Sequence, residues 1–547
     1  MGRSSGPQRL LRGVPAAPGM AFGLTHRLDA PLPDAGETVP EEAREGERER
    51  ALAALEAAAG QLDALATRLT GQESEIVATG ALLARDPALL EAVEQAVAAG
   101  RPAPAALVEA ADALAAPLRE LDDPTFALRA DDLGSVGRRA ARLAVGAPAV
   151  DRPAAAGRTV LVATDLGPAD VAELDASVAG VALGAGGVTS HAAIVARSLG
   201  LPMVVGLGAD LAGIEDGTPV LVDGGRGRFV AAPPEEEIAA AERDLQTRAD
   251  ALRRAAAERD LPAATRDGRR VRVLANVSSR VEVEAALAAG AEGVGLLRTE
   301  LAFLEAKGWP TRGEHERTLR PILSALTGRL ATVRLLDFGG DKTPPFLRGE
   351  SGRGIELLLA APDALAAQVE AVAAAGGGVE LRVLVPMVTE PGQLGAVRDL
   401  LAGTGVVGPM VEVPAAATLA DQLAAVAGFL SVGTNDLASL ELGRGRDSSA
   451  PAPAHHPAVL RRIAAVVVAA HAAGIPVEVC GEAASDPRAL PLLVGLDVDE
   501  LSVGAARVGE VRAAVRAMDY ARVRDLAAKA VDATSALEVE RLLAEPR

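Results

Sequence analysis

The chain has 547 residues, too many for one hydrophobic core, so roughly three or four domains are expected. Its net charge of −19 argues against nucleic acid as a general partner, and 49% apolar residues with 2% aromatics indicate alanine-rich helices. The single cysteine, Cys480, excludes a disulfide framework and a thiolate metal cluster. Without a run of membrane length or a signal-peptide core, the chain is expected to be cytoplasmic and not inserted in a membrane.

The first part of the chain changes from strand-like to helical patterning. Residues 8–30 are apolar and interrupted by glycine and proline, which predicts a strand with turns. From Glu41 to Val145 the composition shifts to Ala, Leu, Glu and Arg at helical spacing, with Glu47–Thr70 as one long helix candidate. Breaks near Gly71, 100–102 and 122–124 divide this stretch into about three or four helices, which is typical of a bundle.

Short apolar runs return between residues 150 and 232. Four of them are strand candidates: Thr159–Ala163, Val178–Leu183, Met203–Gly206 and Pro219–Asp223. With the N-terminal strand they are predicted to form one α/β domain, residues 1–34 and 148–232, into which the helical bundle, residues 35–147, is inserted. Charged residues alternate with alanines from 234 to about 260, which predicts a linker helix within residues 233–265.

His191 occupies a distinctive position in that domain. It follows a glycine pair and two hydroxyl residues, Thr189 and Ser190, and precedes an alanine-rich helical run. Either hydroxyl residue is able to cap the helix, which places His191 at a helix N-terminus, where the positive dipole end favours an anion and a neutral imidazole. A neutral histidine beside an anion site has the properties of a phosphoryl acceptor, whereas the alternative is a histidine satisfied by loop backbone.

From about residue 270 onward, apolar strand-like runs recur with helical stretches between them. Eight such runs within residues 266–547 predict a (β/α)8 barrel, so the whole chain is expected to be a multidomain α/β protein. The runs are Val271–Val277, Gly293–Leu297, Thr332–Phe338, Leu381–Val388, Val407–Val413, Phe429–Gly433, Val477–Cys480 and Glu500–Val503.

Charged residues follow several of these runs, where a barrel places its active site. Arg298, Arg334 and Lys342 indicate an anionic, phosphorylated ligand, because arginine holds phosphate bidentately and lysine acts as a point charge. Glu412 and Asp436 supply two oxygen ligands suited to Mg²⁺, with substrate and water completing the octahedron. Helix capping or salt bridges are the alternative for this pair.

Cys480 ends the seventh run, beside Gly481 and Glu482. A lone cysteine is most often a small buried hydrophobic residue. At the end of a barrel strand it is equally placed to act as a proton donor. The residues alone leave both interpretations open.

Together these segments resemble the enzyme I family, the phosphoenolpyruvate-protein phosphotransferases of bacterial sugar-uptake systems. The resemblance spans nearly the whole chain in order, and it includes Gly13–Gly23 and Leu121–Gly137 near the N-terminus. The most specific runs are Gly186–Gly200 (GGVTSHAAIVARSLG), Ala291–Glu300 (AEGVGLLRTE), Val333–Lys342 (VRLLDFGGDK), Met410–Thr418 (MVEVPAAAT), Ser431–Leu437 (SVGTNDL) and 480–482 (CGE).

The resemblance implies a role for each matched residue. His191 resembles the histidine that takes the phosphoryl group from phosphoenolpyruvate, and Cys480 matches the acid that protonates enolpyruvate at C3. Glu412 and Asp436 match the Mg²⁺ ligands. Substrate contacts are implied for Arg298, Arg334, Lys342, Arg353, Asn435, Asp436 and Arg446.

The family also implies partners and motion. Its phosphohistidine passes the group to HPr, a small carrier protein that docks on the helical insertion, and its barrel mediates a homodimer. One histidine must then visit two partners, so its domain is expected to swivel, with the charged stretch at 234–260 as the hinge. This protein is therefore expected to be a phosphotransferase that uses Mg²⁺ and serves sugar transport.

Three departures from the family pattern are visible, one of which is Gly80, at a place where the family often has a histidine in the bundle. Glu356 stands where the family has a second arginine, a charge reversal near an anion site, and the stretch 440–446 is altered, so that Arg444 competes with Arg446 as the substrate arginine. A dikinase or phosphoenolpyruvate synthase is one alternative, but no nucleotide-binding loop is apparent. A degenerate regulator without turnover is another, which Glu356 favours and the intact His191 opposes.

Overall fold

The structure is a computed structural model that describes residues 8–28, 38–69, 72–120, 124–148, 158–175, 177–188, 190–304, 306–339, 342–444 and 452–544. The chain divides into two compact units, an N-terminal unit of residues 1–248 and a C-terminal unit of residues 249–547. Within the described ranges, no helix is both long and apolar enough to cross a bilayer.

An eight-stranded mixed sheet forms one part of the N-terminal unit, in the order β1-β8-β7-β3-β4-β5-β6-β2. Strands β3, β4, β5 and β6 run parallel, and each of β4 to β6 is rich in buried valine, leucine or alanine, as expected for strands covered on both faces. The strands are β1 (Arg9–Arg12), β2 (Val14–Ala17), β3 (Met20–Arg27), β4 (Thr159–Ala163), β5 (Val178–Leu183), β6 (Met203–Val205), β7 (Pro219–Asp223) and β8 (Arg228–Ala231).

A helical bundle occupies the chain between β3 and β4. Its helices are α1 (Arg44–Ala66), α2 (Gln72–Ala84), α3 (Pro87–Ala98), α4 (Ala103–Arg119) and α5 (Pro124–Ala144). The core between them is built largely from alanine and leucine, so the helices approach closely. The sequence predicted about three or four helices because it missed the break at Asp86-Pro87, where the Asp86 side chain caps α3 and Pro87 takes its first position.

Three more helices complete this part of the chain. The short α6 (Pro168–Ala172) follows β4, and α7 (His191–Ser198) follows β5. The long α8 (Glu235–Ala257) lies where the linker helix was predicted, and the boundary between the two units falls inside it.

Eight parallel strands close into a barrel in the C-terminal unit, which confirms the predicted (β/α)8 architecture. The strands are β9 (Arg272–Val277), β10 (Gly293–Leu297), β11 (Leu330–Arg334), β12 (Glu380–Val385), β13 (Val406–Val411), β14 (Leu430–Val432), β15 (Val477–Val479) and β16 (Glu500–Gly504). The surrounding helices are α9 (Arg280–Ala288), α10 (Arg312–Ser324), α11 (Ile355–Ala360), α12 (Pro362–Ala375), α13 (Gln393–Leu401), α14 (Pro414–Thr418), α15 (Ala420–Ala424), α16 (Thr434–Glu441), α17 (Pro457–Ala472), α18 (Leu490–Gly495), α19 (Val508–Ala517), α20 (Tyr520–Asp532) and α21 (Ala536–Ala544).

The third barrel strand differs from its prediction. The apolar run suggested a strand over Thr332–Phe338, but β11 ends at Arg334. Leu335, Leu336 and Phe338 remain apolar because they are buried in the core around the barrel, with Phe338 packed against aromatic neighbours. The hydrophobic pattern therefore extends past the strand into covering structure.

Candidate active site

His191 begins α7, just beyond the carboxyl end of the parallel strand β5. The loop from Gly184 to Ser190 connects strand to helix, and Gly186 adopts φ +89°, a conformation that favours glycine. Ser190 is the N-cap residue, and its hydroxyl accepts a hydrogen bond from the backbone N–H of Ala193 at 3.3 Å. Thr189, the other predicted cap, lies outside the described residues.

A carboxylate from the bundle faces the His191 ring. Both oxygens of Asp132, on α5, lie 3.0 Å from His191 Nδ1. Because an ionised carboxylate only accepts hydrogen bonds, the N–H at Nδ1 donates to Asp132, and in the neutral form of the ring the lone pair then lies on Nε2. The His191 side chain is 22% exposed, whereas that of Asp132 is only 5% exposed. The pair thus presents an oriented, accessible nucleophilic nitrogen.

In the C-terminal unit, the charged side chains follow successive barrel strands. Arg298 and Glu300 follow β10, Arg334 ends β11 with Asp337 soon after, and Glu412 follows β13. Asn435 and Asp436 begin α16 after β14, and Cys480 follows β15. Since all eight strands are parallel, these residues meet at the carboxyl end of the barrel, as the sequence predicted.

Ion pairs connect most of these groups. The buried Arg334 guanidinium contacts Glu300 Oε1 at 2.6 Å and Asp337 Oδ2 at 3.2 Å. Lys342 Nζ lies 2.8 Å from the same Glu300 oxygen. Arg353 extends the network, because its Nη2 lies 3.1 Å from Asp337 Oδ2 and 3.2 Å from Asp436 Oδ2. The network holds three cationic side chains at the mouth of the barrel.

Glu412 is the most strongly perturbed carboxylate of this network. It is 1% exposed, and its Oε1 accepts a hydrogen bond from the Met387 backbone N–H at 2.7 Å. Burial raises the pKa of Glu412 to about 7, and the neighbouring carboxylate of Asp337 adds to the effect. Gly433 packs against it so closely that a Cβ there would lie 2.9 Å from Glu412 Cβ. The environment therefore compensates the charged form of Glu412 incompletely, and the side chain is held in a cradle that only glycine allows.

Cys480 is buried within the barrel interior. Its sulfur receives a hydrogen bond from the Ser431 hydroxyl at 3.2 Å, and it packs with Leu296, Leu384 and Met410. Burial raises the pKa of Cys480 to about 12, so the group is a thiol rather than a thiolate at neutral pH. A thiol in this position is chemically able to give up a proton but is a poor nucleophile.

The remaining predicted residues are more open. Arg298 is exposed, and its guanidinium has no hydrogen bond or ion pair within the described ranges. Asn435 is exposed as well, and its Oδ1 accepts a hydrogen bond from the Glu482 backbone N–H at 2.9 Å. Arg446 lies outside the described residues, while its competitor Arg444 is described and exposed. Glu356 is exposed on α11.

The sequence did not lead us to three residues that contact His191 or the ion-pair network of the barrel: Asp132, Glu300 and Asp337. Glu300 and Asp337 both stood in the charged stretches that follow strands, so their position was a usable signal. Asp132 lies within the family-like run Leu121–Gly137, but it is 59 residues from His191, so nothing in the sequence indicated that the two side chains meet.

The carboxylates of Glu412 and Asp436 fit a hard cation that takes its remaining ligands from water and substrate. Across the described ranges, no group of three or more His, Cys, Asp or Glu side chains is arranged to hold a metal ion. Glu412 and Asp436 nevertheless lie close enough for their charges to interact. Both offer carboxylate oxygens, the ligand type that Mg²⁺ prefers while it keeps water and substrate in its coordination shell.

Comparison with known proteins identifies the family. Residues 252–520 match the family described as PEP-utilising enzyme, PEP-binding domain, where PEP is phosphoenolpyruvate. Residues 156–227 match the corresponding mobile domain, and residues 12–129 match the N-terminal one.

Relatives align over most of the chain. The phosphoenolpyruvate-protein phosphotransferase of Streptomyces coelicolor is 38% identical over 546 residues, which covers 96% of this chain and 97% of that protein. A protein of the same name from Haloferax volcanii is 37% identical, covering 87% of this chain and 88% of that one. The multiphosphoryl transfer protein of Xanthomonas campestris pv. campestris is 37% identical over 98% of this chain and 67% of its own length. With such identity over nearly its whole length, the chain belongs to the phosphoenolpyruvate-protein phosphotransferase family, enzyme I of the phosphotransferase system.

Proposed function

We propose that the protein takes the phosphoryl group of phosphoenolpyruvate onto His191, releases pyruvate, and passes the group to the histidine of HPr. The observation that carries this proposal is the set of cations and carboxylates gathered at the carboxyl end of the barrel. Phosphoryl transfer needs positioning and charge neutralisation more than covalent help from the protein, and this set supplies both. The domain ranges 1–34 with 148–232, 35–147, 233–265 and 266–547 are part of the same proposal.

Phosphoenolpyruvate carries a phosphate and a carboxylate, so it requires several cations. Arg298 is assigned to the substrate because its guanidinium is exposed and has no partner in the described chain. Arg334 and Arg353 lie deeper, where carboxylates fix their planes for bidentate contact with phosphate or carboxylate oxygens. Lys342 adds a positive charge, Asn435 adds an amide, and Arg446 remains a prediction from the resemblance.

Glu412 and Asp436 are assigned to hold Mg²⁺ at this site. When bound, the ion supplies positive charge that offsets the charge developing on the phosphoryl group and the leaving enolate. The incomplete compensation of Glu412 supports this assignment, because a buried carboxylate that lacks a full counter-charge is ready for a cation. Arg353 pairs with Asp436 at 3.2 Å and keeps that ligand oriented.

His191 and Cys480 complete the reaction. Nε2 of His191 forms the N–P bond as the bond between phosphorus and the enol oxygen of the substrate breaks, while Asp132 holds the Nδ1 proton. The enolate that leaves takes the Cys480 thiol proton at C3 and becomes pyruvate. The high pKa of Cys480 keeps that proton on sulfur until the enolate forms.

The bundle is assigned to HPr docking. Leu82 on α2 is 71% exposed and Phe126 on α5 is 43% exposed, although both helices pack their other faces into the bundle core. Exposed apolar side chains of this size are typical of a surface that binds a protein. The net charge of −19 favours a partner with a basic face. The homodimer, the sugar-transport pathway and the cytoplasmic location stay predictions of the resemblance.

Labelling with phosphoenolpyruvate that carries ³²P tests the proposal. The wild-type chain with Mg²⁺ should acquire acid-labile label and release one pyruvate per label, and added HPr should remove the label. The variant His191→Ala should stay unlabelled, whereas His471→Ala, which alters an exposed histidine on α17, should label normally. Label that persists in His191→Ala refutes the nucleophile. Binding of phosphoenolpyruvate without any pyruvate release would instead identify a regulator.

A further inference from the structure

The amide of Gln368 joins two of the loops at the carboxyl end of the barrel. Gln368 is on α12, one of the helices around the barrel, and it is 0% exposed. Its Oε1 accepts a hydrogen bond from the Leu336 backbone N–H at 3.0 Å, and its Nε2 donates to Thr299 Oγ1 at 3.1 Å. A glutamine is rarely buried to this extent unless its amide is hydrogen-bonded. The proposed reaction gives this side chain no role.

The two strands that precede these loops stop pairing just before the residues that Gln368 contacts. The last paired residues of β10 and β11 are Leu297 and Val333. Just beyond them, the Arg298 backbone N–H donates to β9 at 2.9 Å, and that of Leu335 donates to β12 at 3.0 Å. The backbone of each loop is thus bonded to the strand on its far side. Gln368 connects the two loops where the pairing between their own strands has ended.

The hydrogen bonds run in one direction through the Gln368 side chain. A backbone N–H only donates, so Leu336 fixes Oε1 as the amide atom that faces it. Nε2 then donates to the Thr299 hydroxyl, which in turn donates to the Arg334 carbonyl oxygen at 2.9 Å. The chain of bonds therefore starts at Leu336 and ends two residues earlier in the same loop. A side chain that only accepts, or that has no polar atom, breaks it.

These bonds set the spacing of the two carboxylates that hold Arg334. Glu300 directly follows Thr299, and Asp337 directly follows Leu336. The Arg334 guanidinium contacts Glu300 Oε1 through Nη2 at 2.6 Å and Asp337 Oδ2 through Nη1 at 3.2 Å. Because the guanidinium is planar and is held at two of its nitrogens, a shift of either loop turns its plane.

We propose that Gln368 is a positioning residue for phosphoryl transfer, whose amide fixes the spacing of the two loops and thereby the plane of the Arg334 guanidinium. This inference rests on the proposed function, since it assigns Arg334 to the oxygens of phosphoenolpyruvate. Bidentate contact depends on that plane. Misplacing a group that holds the substrate by about 1 Å is enough to slow a reaction about 10²-fold.

Two substitutions separate hydrogen bonding from packing. Gln368→Met keeps the length of the side chain but removes both hydrogen bonds, so the first pyruvate per site should form about 10²-fold more slowly with Mg²⁺ and phosphoenolpyruvate. Gln368→Glu is the conservative variant. At pH 6 burial keeps the new acid protonated, so its carbonyl accepts from Leu336 and its hydroxyl donates to Thr299. Its rate at pH 6 should be within about fivefold of the wild-type rate, while Gln368→Met stays slow at the same pH.

The order of these rates distinguishes positioning from packing. A role in packing alone predicts that Met is the better substitute, because it is apolar and similar in size. A wild-type rate in Gln368→Met, or a Gln368→Glu rate at pH 6 no higher than that of Gln368→Met, overturns the proposal. Glu370→Gln is the control on the same helix. Glu370 is exposed and pairs with Arg312 at 2.9 Å, so this variant should react at the wild-type rate.

Thr299→Val tests the same chain of bonds from its other end and replaces Gln368→Met if that variant does not fold. Valine has the shape of threonine without the hydroxyl, so both bonds of Oγ1 are lost. The first turnover should slow about tenfold or more, and a wild-type rate refutes the proposal. The double variant should lose little beyond the larger single loss, because both changes interrupt one chain. Losses that multiply would mean independent roles and overturn the proposal.

Hydrogen exchange tests the bonding without any turnover. In Gln368→Met the Leu336 amide N–H loses its acceptor, so it should exchange about tenfold faster or more than in the wild type. The Leu335 N–H, which donates to β12, should keep its rate. Equal exchange at Leu336 in the two proteins refutes the link. If the wild-type chain forms no pyruvate, the proposed function fails, and the exchange rates still decide whether Gln368 joins the loops.

Discussion

The His191 edge of the N-terminal unit has one ion pair and a side chain that is 22% exposed, whereas the barrel mouth buries Arg334, Glu300 and Asp337 in a continuous network. The first arrangement is consistent with the role proposed for His191, since few contacts fix its side chain. The second is consistent with the proposed substrate site, whose charges are in place before a ligand arrives. The two units thus differ in how many charged contacts hold their candidate residues.

The two sites also differ in the free-energy cost of burying their charged side chains. Burying charges such as Arg334 and Glu300 is unfavourable unless each has a partner of the opposite sign. The barrel tolerates this because parallel strands and their covering helices form a large apolar core around the network. The exposed His191 site needs no such support. The following variants probe this contrast, beginning with the largest expected effect.

Replacing a buried cation should damage both folding and activity. Arg334→Met leaves the buried Glu300 paired only with Lys342 and the buried Asp337 paired only with Arg353. The free energy of unfolding should therefore fall by about 3 kcal/mol and phosphoryl transfer by about 10³-fold. Urea denaturation and pyruvate release measure the two effects.

The exposed Arg298 is the matched control for that variant. Arg298→Met should lower activity strongly while changing the free energy of unfolding by less than about 0.5 kcal/mol, because its guanidinium has no partner in the described chain. Equal destabilisation in the two variants would contradict the difference between buried and exposed cations.

His315 provides a buried histidine to compare with the partly exposed His191. His315 on α10 is 1% exposed, neither ring nitrogen has a hydrogen-bond partner in the described chain, and its ring packs on Phe303 at 4.9 Å between centroids. Burial lowers the pKa of His315 to about 4 from 6.5. Between these values the unfolded chain binds the proton and the native state does not, so this group reduces stability as the pH falls from about 6.5 to 4.

The size of that loss is about 3 kcal/mol at pH 4, from the shift in pKa. Denaturation of wild type and His315→Leu at pH 7 and pH 4 should show a smaller acid loss in the variant. An equal acid loss in the wild type and in His315→Leu would contradict the assignment of this loss to His315.

Removing the partner of the nucleophile should affect chemistry more than folding. Asp132→Asn no longer fixes the Nδ1 proton of His191, so the rate of His191 phosphorylation should fall about 10²-fold, while calorimetric binding of phosphoenolpyruvate stays unchanged. Asp131→Asn, at the neighbouring position on α5, is the control and should phosphorylate normally. Weakened phosphoenolpyruvate binding in Asp132→Asn would contradict the assigned role.

The smallest expected effect is at the cap of the nucleophile helix. Ser190→Ala removes the hydroxyl that accepts from the Ala193 N–H, which should lower the free energy of unfolding by about 1 kcal/mol. Ser190→Asp restores an acceptor and should recover most of that stability. Thermal unfolding of the full chain, followed by circular dichroism, distinguishes the two variants.

Much of the architecture was predictable from local pattern. Strands β4, β5, β7 and β10 begin and end where their apolar runs do, because a continuous buried run has clear limits in sequence. The prediction was less accurate where buried residues continue past the end of a strand, as they do after β11. It also omitted β8, a four-residue strand that is too short to show a period of its own.

The sequence by itself determined the barrel and the helical bundle and selected the candidate site residues, because hydrophobic period and motif spacing are local properties of the chain. Only the tertiary structure decided which charges meet. Asp132 reaches His191 across 59 positions, and Glu300 joins Arg334 and Lys342 across 34 and 42 positions. Such contacts depend on how whole elements pack, and no short stretch of sequence specifies that packing.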